Sequence, residues 1–137
     1  MAFWNGLTVA QRLGLVAASI FYVGAGIMHF IRPDLYLKLI PPYLPWPTAL
    51  VQTSGFFEIL GGLGLLAPQT RRAAAWGLVA LLVAVFPANL YMATNPVEAG
   101  AAAIGPAIRW GRLPLQVVFV WWVLWCTSRP GGQARKS

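Results

Sequence analysis

The side chains able to do chemistry are few and widely separated. Glu58 sits near the middle of the apolar run TALVQTSGFFEILGGLGLLAP, Thr48 to Pro68. An acidic group at the centre of a spanning helix costs about 3 kcal/mol on insertion scales, so a chain that keeps one there must supply partners. The available partners come one from each other apolar segment: His29, Asn89 and Gln116, with Arg112 one turn before Gln116. Tyr22, Gly26 and His29 recur at i, i+4 and i+7, which places a phenol and an imidazole on one helix face. Ser54 lies one turn before Glu58 on the same face. A glutamate and a histidine sharing one cavity can act as general acid and base. Tyr22, Arg32, Ser54, Asn89, Arg112 and Gln116 are then the groups that hold a ligand or orient its oxygen. The same residues also suit a plain hydrogen-bonded clasp between helices.

Other chemistries fit poorly. Cys126 is the sole cysteine, which excludes an intramolecular disulfide or a CxxC redox pair. His29, Glu58 and a distant Cys126 do not make a zinc or haem site, so no metal and no cofactor is expected. The formal net charge of +7 comes from residues flanking the apolar runs, not from a continuous basic helix, and no nucleic-acid partner is expected.

The elements that must position these groups are helices in lipid. The chain is 58% hydrophobic and 9% charged, against about 25% charged for a soluble domain. Four segments read as spans, at about 10–31, 48–67, 73–94 and 112–128, forming one domain over 1–128. The predicted fold is all-α, an antiparallel four-helix integral membrane bundle. The first apolar run ends in His-Phe-Ile-Arg-Pro and reads as a retained helix, not a signal peptide. Thr8 is its expected N-cap and Pro33 its stop.

Between Pro33 and Pro47 the sequence PDLYLKLIPPYLPWP is too apolar for a solvated loop. It reads as an amphipathic turn from Asp34 to Ile40 followed by a stiff strap, serving as an interfacial anchor or as a lid over the polar site. Gly61, Gly62 and Gly64 offer a smooth packing surface, and the short link through Pro68, Arg71 and Arg72 makes the next pair of helices a hairpin. Pro87 removes one backbone donor from the third span. The fourth is expected to begin near Arg112 with Pro114 in its first turn, and the seven tryptophans to be mostly interfacial or lipid-facing, so that Trp121, Trp122 and Trp125 need no cofactor to explain them. Residues 95–111 read as a flexible loop holding Glu98, and 129–137 as a disordered basic tail.

With four spans, Arg12, Arg71, Arg72, Arg129, Arg135 and Lys136 share one side, against Arg32, Lys38, Arg109 and Arg112 on the other. The bias places both termini in the cytoplasm of a bacterial inner (plasma) membrane, in a multi-pass topology. At about 1.5 Å per residue, Asn89 and Gln116 lie roughly 6–8 Å below the outer end of their helices and Glu58 roughly 15 Å. The polar groups converge in the outer half, with Glu58 at the floor.

The stretches GIMHFIRP, FFEILGGLGLL, FPANLYMA and RLPLQ resemble the DoxX-like family of small four-helix membrane proteins. The resemblance covers nearly the whole chain and includes His29, Glu58, Asn89, Arg112 and Gln116. The family takes its name from a small subunit of a thiosulfate:quinone oxidoreductase, and related proteins look like assembly factors or chaperones.

Three functional readings follow. The leading one is a membrane protein whose outer-half pocket binds a small or lipid-like molecule. The second is a helper or assembly subunit of a membrane redox complex, docking a membrane-protein partner through its glycine-rich faces. The third is an intramembrane isomerase or cyclase using Glu58 and His29 as acid and base.

Overall fold

The computed structural model describes residues 4, 6–96 and 105–128. Its elements are all helical: α1 (Val9–Ile31), α2 (Pro33–Leu37), α3 (Pro47–Leu66), α4 (Arg71–Thr94) and α5 (Pro106–Thr127). By length and composition, α1 and α4 can each cross a membrane. The four long helices pack in a cycle, α1 against α3, α3 against α4, α4 against α5 and α5 back against α1.

The helix ends follow from local chemistry. Thr8 caps α1 through a reciprocal box with Gln11: the Gln11 amide N–H donates to Thr8 Oγ1 at 3.2 Å, and the Thr8 N–H donates to Gln11 Oε1 at 3.0 Å. The Gln11 side chain does more than cap. Its Nε2 donates to the carbonyls of Trp125 at 2.9 Å and Ser128 at 2.7 Å, tying the start of α1 to the end of α5. Arg71, the first residue of α4, donates from Nε to the Leu65 carbonyl at 2.8 Å and from Nη2 to that of Leu66 at 3.0 Å. It thereby serves carbonyls that the end of α3 leaves without helical partners, and explains how so short a link holds the hairpin.

α1 and α3 meet through glycine. A Cβ added to Gly26 would lie 2.6 Å from the Gly55 carbonyl oxygen, and one added to Gly55 would lie 2.6 Å from His29 Cβ. Any side chain at either position drives the backbones apart. The core lies toward the end of the molecule where α1 begins and α5 ends, and there Leu15, Ala18, Leu65, Ala75, Leu78, Val123 and Cys126 are buried together. Large apolar side chains face outward on all four long helices, among them Ile20, Phe56, Val83 and Val117.

Three expectations are corrected. The last helix begins at Pro106, not 112, so Pro114 lies inside it and Pro106 takes the first-turn position. Trp121 is exposed, but Trp122 packs against the core with Val123 and Cys126 instead of facing outward. The turn expected from Asp34 to Ile40 is a short helix that starts at Pro33 and ends at Leu37, followed by hydrogen-bonded turns at Leu39 and Ile40. Glu98 and the basic tail lie outside the described residues.

Candidate functional site

The cycle of helices leaves a cavity of about 390 Å³ at the end opposite the core, and its wall holds Tyr22, His29, Ser54, Glu58, Asn89, Arg112 and Gln116. Each long helix contributes. α1 supplies Tyr22 and His29, α3 Ser54 and Glu58, α4 Asn89, and α5 Arg112 and Gln116. Tyr36 of α2, with Leu39 and Ile40 just beyond it, closes part of the wall, so the segment after Pro33 is part of the site. The remaining wall is apolar, with Phe21, Val51, Leu82, Val85, Leu115 and Phe119 prominent.

Arg32 is placed elsewhere. Its guanidinium forms a two-pronged pair with Asp34, Nε to Oδ1 at 3.1 Å and Nη2 to Oδ2 at 3.0 Å, at an exposed position outside the cavity wall. The hydrogen bonds from Arg32 hold the Asp34 carboxyl below the usual carboxylate range, and the same contact raises Arg32. Sequence spacing put Arg32 three residues after His29, but α1 ends between them and the chain turns away.

His29 is buried and held from several sides. Its Nδ1 lies 2.9 Å from the Val51 carbonyl oxygen, its ring stacks on Tyr36 at 3.8 Å between centroids, and its Nε2 lies 3.4 Å from Glu58 Oε2. A carbonyl only accepts, so Nδ1 carries a hydrogen and Nε2 is left to share a proton with Glu58. Burial, and next the charge of Glu58, raise the Tyr36 hydroxyl, so Tyr36 stays a neutral phenol.

Gln116 donates from Nε2 to the Leu82 carbonyl at 2.8 Å, in the turn of α4 that precedes Pro87. Arg112, at the exposed end of the wall, places Nη1 3.5 Å from the Met92 sulfur. Tyr22 Oη and Gln116 Oε1 are buried with no hydrogen-bond partner among the described residues, and the equally buried Glu58 Oε2 has only the 3.4 Å contact to His29 there. Buried polar atoms are nearly always paired, so two unpaired ones on side chains lining one cavity are unusual.

Two contributors escaped the sequence reading. Tyr36 was visible as an aromatic in the proline-rich segment, but its stacking on His29 depends on how that segment folds back. The Leu82 carbonyl is a backbone group with no sequence signature, since Pro87 frees the carbonyl of Val83 and not that of Leu82. Among the described residues, no three His, Cys, Asp or Glu side chains gather into a metal-binding group.

No curated protein and no solved structure matches the chain. A family model does match, over residues 18–127, a range that takes in every wall residue named above. The chain therefore belongs to the family described as a domain of unknown function, DUF8561.

Proposed function

We propose that this chain is a four-helix integral membrane protein, related to the DoxX-like family, whose cavity binds a small or lipid-like molecule between its helices. The observation that carries the reading is a pair of buried polar atoms without a hydrogen-bond partner among the described residues, Tyr22 Oη and Gln116 Oε1, on side chains lining one cavity of about 390 Å³. A structural clasp would pair those atoms with one another. A mostly apolar wall with a few convergent polar groups is the usual form of a small-molecule site.

The membrane setting rests on the outward apolar faces. α3 and α5 contain 20 and 22 residues, long enough to span beside α1 and α4, and they turn Phe57, Leu60, Leu63, Val117 and Trp121 outward. With four spans, the positive-inside rule puts both termini in the cytoplasm of a bacterial inner membrane and the cavity in the outer half. A helper role is favoured by one feature, a groove floored by Gly61, Gly64, Ala74 and Gly77 between α3 and α4. Close helix packing on such a floor suits a membrane-protein partner.

The test is unbiased mass spectrometry of what stays with the full-length protein through purification, comparing wild type with a Tyr22→Phe, Gln116→Leu double variant. The pocket reading expects a molecule enriched on wild type and depleted on the variant. Identical extracts, together with a stoichiometric membrane protein in both, would favour the helper role.

A further inference from the structure

The polar wall of the cavity holds both donors and acceptors, and one amide makes a directional demand. Gln116 Nε2 is committed to the Leu82 carbonyl at 2.8 Å. Turning the amide over would set oxygen against oxygen, so the assignment of its two ends follows from that contact. Gln116 Oε1 is the end left buried without a partner, and an amide oxygen can be satisfied only by a donor.

Among the described residues no donor of the wall is hydrogen-bonded to that oxygen. His29 spends its Nδ1 hydrogen on Val51, and its Nε2 faces Glu58 Oε2 at 3.4 Å. The Tyr22 hydroxyl carries a hydrogen of its own but makes no hydrogen bond to Gln116. Charge is constrained too. Glu58 opposes an anion in the cavity, and Arg112 in the same wall opposes a cation.

Resting on the reading of this cavity as a ligand site, we infer that its occupant is a neutral, largely apolar molecule bearing a hydroxyl group, which donates to Gln116 Oε1. Alcohols and phenols qualify. Ketones, ethers and esters of the same skeleton do not, because their oxygens only accept and would leave the buried Gln116 oxygen unpaired. Sites built around a hydroxyl discriminate strongly against analogues that lack it, for this reason.

The experiment uses the full chain in lipid nanodiscs and two probes of nearly equal shape, 2-naphthol and 2-methoxynaphthalene, with affinity read by calorimetric titration. Wild type should bind the naphthol at least about tenfold more tightly, the equivalent of about 1.4 kcal/mol. In Gln116→Leu the ratio should fall toward one through weaker naphthol binding, with the ether retained. Equal binding of both probes to wild type would overturn the hydroxyl requirement while leaving a ligand pocket in place. Saturable binding of neither would remove the pocket reading and this inference with it. The wild-type comparison decides the matter even if the variant does not fold.

Discussion

His29 of α1 holds the backbone of α3: its Nδ1 sits 2.9 Å from the Val51 carbonyl oxygen, one turn before Gly55, the residue whose backbone meets Gly26. This contact orients the imidazole, so that Nε2 points to Glu58 at 3.4 Å. A glycine contact and a histidine contact, one turn apart, therefore fix the same helix crossing and the same His29–Glu58 pair.

Glu58→Gln should fold normally, because a glutamine amide can donate to His29 Nε2 in place of the shared proton. Glu58→Ala strands Nε2 and should cost about 1–3 kcal/mol. Thermal melting in detergent distinguishes them, and equal stability of the two variants would show that the pair contributes nothing to folding.

Gly26→Ala should destabilise by about 1–3 kcal/mol, the usual range for overpacking. The added methyl would meet the Gly55 carbonyl at 2.6 Å and Ile59 Cγ1 at 2.7 Å. Gly24→Ala is the control: nothing lies within 4 Å, and alanine is the better helix former. Gly24→Ala should therefore be neutral or mildly stabilising, and a matching loss in both variants would contradict the close approach of α1 and α3.

Gln11→Leu should cost about 1–3 kcal/mol by removing the donor to Trp125 and Ser128. Gln11→Glu should be worse, since a carboxylate would face two carbonyl oxygens. The order Gln, Leu, Glu in melting temperature is the expected result, and Glu at or above Leu would remove the clamp from the account.

Much of this was legible in the sequence where a local rule governs. Thr8, Pro33 and Pro47 mark helix limits because capping and proline chemistry act within one turn. The wall residues stood out because polar side chains are costly inside apolar runs. The start of α5 was obscured because Arg109, Gly111, Arg112 and Pro114 look loop-like, whereas Gly105 and Pro106 hold the actual start signal. Arg32 was grouped with His29 by spacing, but its pairing with Asp34 depends on how the chain leaves α1. The partners of His29 and Gln116 are backbone carbonyls, Val51 and Leu82, which only the packing reveals.

The Arg32–Asp34 pair predicts a pH dependence of definite sign. Asp34 titrates below its ordinary value in the folded chain, chiefly through the hydrogen bonds from Arg32. Its contribution is therefore present above the ordinary aspartate value of about 3.9 and is lost as pH falls through the lower folded value. Both groups are more than half exposed, so the effect is small and salt weakens it. Asp34→Asn should melt slightly below wild type at neutral pH and low salt, and the two should converge in acid or at 1 M salt. A gap that persists in acid would assign the difference to something other than this pair.

The most direct measurement on the central claim is thiol labelling inside the cavity. Ser54 lines it, whereas Leu78 is buried in the core and the natural Cys126 is fully buried. In full-length protein carrying Cys126→Ser, a small neutral maleimide should modify Ser54→Cys at least tenfold faster than Leu78→Cys, and a bound occupant should slow the reaction. Equal, slow labelling at both positions would mean that the helices close over their polar groups, and would contradict a ligand cavity.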